Sequence, residues 1–169
     1  DSIDVLLISG DTYLDTSYNG SALVGKWLVE HGFKVGIIAQ PEVDVPDDIT
    51  RLGEPNLFFA ISGGCVDSMV ANYTATKKRR QQDDFTPGGE NNKRPDRAVL
   101  VYSNMVRRFF KGTTKKIVIS GIESSLRRIT HYDYWTNKLR KPILFDAKAD
   151  ILSYGMGEMS MLQLATALK

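Results

Sequence analysis

Ile3-Asp4-Val5-Leu6-Leu7-Ile8 leads directly into Ser9-Gly10-Asp11, an apolar run of strand length that ends in a small, flexible, polar turn. The pattern recurs at Lys34-Val35-Gly36-Ile37-Ile38-Ala39, Asn56-Leu57-Phe58-Phe59-Ala60-Ile61, Lys116-Ile117-Val118-Ile119 and Asp150-Ile151-Leu152-Ser153-Tyr154. Hydrophobicity in these runs is continuous rather than alternating, so both faces of each strand are covered, as a parallel sheet between two helix layers requires. Helix-like segments fill the intervals, and that alternation gives the α/β class. Right-handed crossovers then predict a three-layer sandwich whose five parallel strands run in the order 2-1-3-4-5.

The first helix is expected from about Gly20 to Glu30, with Leu23, Val24, Trp27 and Leu28 as its apolar stripe. His31-Gly32 closes it, and His31 reads either as a cation favoured by the helix dipole or as a functional histidine. A later helix begins near Pro95-Asp96, puts Val99, Tyr102, Val106, Phe109 and Phe110 on one side, and ends at Gly112. The last helix places Met161, Leu164, Ala165 and Leu168 on one stripe facing the sheet. Pro142-Ile143-Leu144-Phe145 is read as a short strand or edge segment. Between the third and fourth strands lies a long polar insertion at about 73–97, containing Lys77-Lys78-Arg79-Arg80, Asp83-Asp84, Pro87-Gly88-Gly89 and Asn91-Asn92. Its length, glycines and mixed charge predict a functional loop that is mobile in this piece and ordered in a longer protein.

With 169 residues, 42% apolar and 25% charged, the chain suits one domain with one core. The single cysteine, Cys65, excludes a disulfide framework, a multi-cysteine zinc site and a three-cysteine iron–sulfur motif within these residues, and it fits a reducing cytoplasm. No apolar run reaches the ~18 residues of a membrane span, so no membrane partner is expected. The first residue is Asp1 rather than Met, which reads as a chain trimmed from something longer. The net charge of +2 conceals an asymmetry: residues 1–60 carry three Lys or Arg against ten Asp or Glu, and residues 104–141 carry ten against two. The basic segment reads either as a face for phosphate, RNA or an acidic domain, or as solvated helix surface.

In an open parallel sheet, ligands bind outside the carboxyl ends of the strands. Four strand ends here carry small residues: Ser9-Gly10-Asp11, Ser62-Gly63-Gly64, Ser120-Gly121-Ile122-Glu123 and Gly155-Met156-Gly157-Glu158. Gly10, Asp11, Ser62, Gly63, Gly121, Glu123, Gly155, Gly157 and Glu158 are therefore the candidate cofactor-binding residues. Glycine turns there expose N–H groups to an anion, while Glu123 and Glu158 offer acceptors to hydroxyl or amine groups. The alternative is that these sharp turns need glycine for geometry alone. Neither G-x-x-x-x-G-K-[ST] nor G-x-G-x-x-G after the first strand is present, which argues against a P-loop ATPase and an ordinary dinucleotide-binding dehydrogenase. Cys65 reads as a small buried hydrophobe or as a thiol activated at a helix start. Asp11, Asp15, Asp67 and Glu123 all lie in strand-end loops as potential acids or bases, and nothing in the spacing brings His31 and His131 together. The catalytic residues stay unassigned.

Several longer strings carry a family resemblance: Ser9-Gly10-Asp11-Thr12-Tyr13-Leu14-Asp15, Gly36-Ile37-Ile38-Ala39-Gln40-Pro41, Arg94-Pro95-Asp96-Arg97-Ala98, Ile122-Glu123-Ser124-Ser125-Leu126-Arg127-Arg128-Ile129, His131-Tyr132-Asp133-Tyr134-Trp135 and Gly155-Met156-Gly157-Glu158. Together they resemble the N-terminal region of YgiQ-type radical SAM proteins. The resemblance implies a flavodoxin-like, cobalamin-binding-like domain placed before a radical SAM barrel. That barrel would carry C-x-x-x-C-x-x-C for a 4Fe-4S cluster that cleaves S-adenosylmethionine, a motif these residues lack. Domains that ligate cobalt present D-x-H-x-x-G after the first strand, whereas Asp11-Thr12-Tyr13 has tyrosine at the histidine position. Cobalamin binding without a protein ligand stays open. The resulting expectation is an accessory domain that covers the barrel and helps bind a small-molecule substrate or second cofactor, with a polyanion (RNA)-binding module using residues 104–141 as the alternative.

Overall fold

The computed structural model describes residues 2–14 and 17–169. Four five-residue strands, β1 (Val5–Ser9), β2 (Val35–Ala39), β3 (Phe58–Ser62) and β4 (Lys116–Ser120), are the first four apolar runs. Two short strands follow, β5 (His131–Asp133) and β6 (Lys138–Arg140), and then β7 (Ile151–Leu152), which is the fifth run. The sheet order is β2-β1-β3-β4-β7, all parallel, so the expected arrangement holds with β7 in the fifth place. The helices are α1 (Asn19–Glu30), α2 (Pro46–Thr50), α3 (Ser68–Asn72), α4 (Ala98–Phe109), α5 (Gly121–Leu126), α6 (Ile143–Asp146) and α7 (Glu158–Leu168).

Strand residues alternate between two cores. Leu6, Ile8, Phe59, Ile61, Ile117 and Ile119 face α4, meeting Val99, Tyr102, Met105 and Val106. Val5, Leu7, Phe58, Ala60 and Val118 face the other way, toward Leu28 of α1 and Met161 and Ala165 of α7. The register aligns Ser9 with Ser62 and Ser62 with Ser120, so three serines form a row at the carboxyl edge on the α1–α7 side. That row is where apolar packing stops and a polar floor begins.

Two local expectations are corrected, and one element is new. Leu23, placed in the buried stripe of the first helix, is 51% exposed and lines the open cleft at the strand ends. Pro142-Ile143-Leu144-Phe145 is not a strand: Pro142 stands at the N-cap of α6, and only Ile143 of the run is buried. Between α5 and α6 the chain makes an antiparallel hairpin, β5–β6, that no expectation covered.

The 73–97 segment has a means of packing that its composition hides. It carries little regular structure, two isolated bridges and one 3₁₀ turn at Pro87–Gly89. Yet Asp83, Thr86, Asn91 and Arg94 are buried in it. Asn91 Nδ2 donates to the carbonyls of Asn72 and Arg80, each at 3.0 Å. Gln40 Nε2 donates to Thr86 Oγ1 at 2.7 Å and to the Gly10 carbonyl at 3.2 Å, tying the segment to the ends of β1 and β2. Polar side chains, rather than an apolar core, hold it down.

Candidate functional site

A cleft of about 410 Å³ opens at the carboxyl ends of β1, β3 and β4, on the α1–α7 side. Its floor is Leu7, Ala60 and the serine row, and one wall is the start of α1, from Asn19 to Val24. The opposite wall is the Gly155–Glu158 turn with Met161 of α7, while Gly64, Cys65, Gly121 and Ile122 close the back. The chemistry is mixed: serine hydroxyls below, apolar side chains around, and Glu158 at the rim. Ala60 and Ser62 are small at the point where larger strand residues would have filled the volume.

Topology does bring the strand-end turns to one edge, but only some of the candidate residues reach the cleft. Ser62, Gly121, Gly155, Gly157 and Glu158 line it. Gly10, Asp11, Gly63 and Glu123 do not, and each has a structural employment instead. Asp15 lies outside the described residues.

Asp11 is buried with Arg94 and Asp83 in a charged triad. The Arg94 guanidinium lies 2.5 Å from Asp11, donates to Asp83 Oδ2 at 3.2 Å through Nε, and donates to the Gly63 carbonyl at 3.1 Å. Burial alone would lower the Arg94 pKa, but the two carboxylates outweigh it and hold the guanidinium charged. Burial likewise pushes Asp83 up, and Arg94, together with the Phe85 N–H and the Thr86 hydroxyl, more than reverses that, leaving its carboxyl below the usual range. Asp11 also accepts from the Cys65 N–H at 2.6 Å. The backbone approaches closely here: a Cβ on Gly10 would sit 2.2 Å from the Gly63 carbonyl, and one on Gly64, at φ +111°, 2.2 Å from the Asp11 carboxylate. These glycines serve turn-to-turn contact.

Glu123 is equally enclosed. One carboxylate oxygen accepts from the Ser68 N–H at 3.0 Å and the other from the Val99 N–H at 3.1 Å, so a single side chain caps the starts of α3 and α4. Burial pushes its carboxyl up, with the Asp67 charge adding to the effect. Asp67 caps α3 from the other side, accepting from Met69 N–H at 3.0 Å, and pairs with Arg127. Neither carboxylate offers an acceptor to a ligand in the cleft.

Cys65 is neither of the things expected of it. It is exposed at the back of the cleft rather than buried. Partial desolvation and the adjacent Asp11 carboxylate push its thiol up to about 12, the opposite of activation. His31 closes α1, its Nδ1 2.7 Å from the Trp27 carbonyl, and His131 sits in the hairpin against the Ile129 carbonyl at 3.0 Å; neither lines the cleft. The basic segment is heavily paired: Arg107 with Asp150, Arg108 with Asp44, Arg127 with Asp67 and Arg140 with Asp146. With Lys116 and Asp150, half of the ten basic residues of 104–141 have a carboxylate partner, and one of these pairs, Arg108 with Asp44, reaches back to the acidic first sixty residues.

The serines at 9 and 120 are residues that sequence reasoning missed as site candidates. The signal was present, since Ser-Gly ends three strands in turn, at Ser9-Gly10, Ser62-Gly63 and Ser120-Gly121. As for cobalt ligation, Tyr13 stands where an imidazole is required, its ring stacked on Tyr18 at 4.9 Å. The donor set does not fit a cobalt ion held by a side chain of this loop.

Comparison with known proteins places this fold. The family model described as Radical SAM N-terminal matches residues 1–169. A UPF0313 protein of Fusobacterium nucleatum is 97% identical over 169 residues, which is 100% of this chain and 30% of that relative. UPF0313 proteins of Thermotoga neapolitana and Methanocaldococcus jannaschii are 57% and 52% identical, over 98% and 100% of this chain and 29% and 28% of their own lengths. The chain therefore spans about 30% of the length of the curated relatives it matches. Among solved structures, the radical SAM methyltransferase TsrM of Kitasatospora setae, with tryptophan substrate and a SAM analogue bound, is similar at a TM-score of 0.60 and 15% identity, over 99% of this chain and 26% of that one. A second TsrM structure, with cobalamin and a 4Fe-4S cluster bound, is similar at 0.60 and 14%, over 99% and 25%. At that identity the likeness is one of fold alone. With a model matched along its whole length and relatives this close over all of it, the chain belongs to the radical SAM N-terminal family.

Proposed function

We propose that this domain is the accessory domain of a radical SAM enzyme, covering a barrel in the same polypeptide and presenting its cleft to a small-molecule substrate or second cofactor. In this reading the 4Fe-4S cluster and S-adenosylmethionine belong to the rest of the polypeptide, because one cysteine cannot hold a cubane cluster. The observation that carries it is the cleft itself. It lies at the edge where parallel sheets receive ligands, and its hydroxyl floor and apolar walls suit a compact, partly polar molecule. The buried carboxylates take no part in binding; Asp11 and Glu123 keep the turns and helix starts that shape the cleft in register.

The test is Gly157→Val in the full-length protein. Gly157 has space around it, its nearest neighbours to a Cβ being Val24 at 3.7 Å and Met161 at 3.9 Å, so valine intrudes on the cleft without a clash with backbone. Wild type and variant are dialysed against a small-molecule extract of the source cells, and retained compounds are identified by mass spectrometry. A compound retained by the wild type and lost from a variant of unchanged melting temperature supports the reading. Equal retention overturns it, and binding of an added RNA oligonucleotide with a steep salt dependence would return the function to the basic segment.

A further inference from the structure

The most exposed apolar side chains are gathered in one part of the molecule. Among the described residues, every large hydrophobic more than 55% exposed lies between positions 126 and 159, and they include Ile129, Tyr132, Leu139, Phe145, Tyr154 and Met156, the last at 80%. Lone exposed hydrophobics are ordinary, but a concentration of this kind is not.

The segments that carry them form one continuous surface. Ile143 N–H donates to the Arg127 carbonyl at 2.8 Å, which sets α6 beside the end of α5. Arg140 pairs with Asp146 at 3.0 Å, joining the hairpin to α6. The Arg128 guanidinium lies 5.4 Å from the Tyr154 ring centroid, and Gly155 N–H donates to Ser125 Oγ at 3.2 Å, joining α5 to the turn after β7. Within the hairpin, Tyr132 and Leu139 are direct cross-strand partners and both stand in solvent, while the alternate residue Asp133 is buried and pairs with Arg97 at 2.8 Å. One face of the hairpin is therefore anchored and the other presents an aromatic–aliphatic pair to solvent, with only the Tyr132 hydroxyl engaged, donating to Asn137 Oδ1. Such a pair stabilises a sheet when something covers it.

We propose that this surface, centred on Tyr132 and Leu139 and running to Met156 at the mouth of the cleft, is where the remainder of the same polypeptide docks. The proposal rests on the reading of the domain as part of a longer radical SAM chain. Two observations choose that occupant over a second copy. The relatives carry roughly 70% of their length outside the matched region, enough for a domain larger than this one. The surface also borders the cleft through Met156 and Ile122, so a domain seated there closes over the proposed ligand, which a remote dimer contact would not need to do. Intrachain domain interfaces of roughly 600–1,500 Å² are the size such a surface can supply. The basic side chains around it, Arg128, Lys138 and Lys141, predict an acidic rim on the docked domain.

The experiment is oxidative footprinting of the full-length protein, read residue by residue by mass spectrometry. Val29, Leu52 and Val70 are exposed apolar controls elsewhere on the domain. Tyr132, Leu139, Phe145 and Met156 are expected to label at least fivefold more slowly than their exposure in this domain dictates, with the controls labelling as exposed. A double variant, Tyr132→Lys with Leu139→Lys, changes only exposed side chains; it should restore labelling at Phe145 and Met156 and enlarge the radius of gyration in solution scattering. Labelling of all four at the rate their exposure dictates overturns the proposal, as does protection that disappears on dilution, the mark of a second copy. Loss of protection here with ligand retention intact would refute this docking surface alone, whereas intact protection with no retained ligand would refute the cleft reading alone.

Discussion

The guanidinium of Arg94 lies 2.5 Å from the carboxylate of Asp11, and both side chains are fully withdrawn from water. Eighty-three residues separate them in sequence, yet this contact and the one to Asp83 fasten the long insertion to the turn that follows β1. Removing the cation leaves two buried carboxylates facing each other, a cost of about 3–5 kcal/mol. Arg94→Met is therefore expected to lower the denaturation midpoint sharply in urea titration, and Arg94→Lys to recover only part of it, since one ammonium cannot reach Asp11, Asp83 and the Gly63 carbonyl together.

Glu123→Gln keeps shape while replacing one acceptor with a donor. Either Ser68 N–H or Val99 N–H then faces an amide NH₂, an unsatisfied pair that costs about 1–3 kcal/mol. Glu123→Ala should cost at least as much. Because burial raises the folded pKa of Glu123, its contribution to stability is greatest at low pH and declines as pH rises from the ordinary glutamate value through the raised one. Comparing urea midpoints of wild type and Glu123→Gln between pH 4 and 8 reads this slope.

Asp133 has the opposite sign. Burial pushes its carboxyl up, but Arg97 and Thr136 overcome that and hold it at about 2. The stabilisation is complete above the ordinary aspartate value of about 4 and is lost as pH falls through about 2. Asp133→Asn should be less stable than wild type at pH 6 by roughly 1–2 kcal/mol and nearly equal to it at pH 2, as measured by chemical denaturation at each pH. The variant also frees the anchored face of the hairpin, so its labelling pattern doubles as a check on the docking surface.

Cys65 is exposed yet unreactive by this structure. With its thiol pushed up to about 12, alkylation by iodoacetamide at pH 8 should run more than tenfold slower than that of an unperturbed thiol, and should return to the ordinary rate in denaturant. A fast reaction in the folded state would show that Asp11 does not burden the thiol.

How far the sequence could be read follows from where the deciding interactions lie. Continuous apolar runs such as Val5 to Ile8 announce buried parallel strands, because that signal is local, and the handedness rule then orders them. The Ser-Gly ends are also local, and they mark the cleft edge correctly. Asp11, a candidate binding residue and potential acid or base, and Glu123, a candidate acceptor, lie buried outside the cleft lining, because accessibility of a carboxylate is decided by what covers it: Arg94 in one case, the starts of α3 and α4 in the other, all distant in sequence. Leu23 is a different case, since a helical stripe does not reveal which of its residues face an open cleft rather than the sheet. The four residues after Lys141 have too short an apolar run to distinguish helix from strand, and only the surrounding packing chooses α6.

The pairing of Arg108 with Asp44, together with the contact of Thr113 Oγ1 with Glu54 Oε1, has a bearing on how the molecule assembles during synthesis. The acidic first sixty residues leave the ribosome before the basic 104–141 stretch is made, and strands β1 to β3 already lie side by side within them and their immediate continuation. The chain that carries β4 follows later and bears the opposite charge, and charges of this kind attract over distances set by the Debye length, about 10 Å at 0.1 M salt. Like-charged halves would have repelled at that moment. In the folded chain the two stretches of opposite charge meet at Arg108 and Asp44, an exposed pair that salt screens.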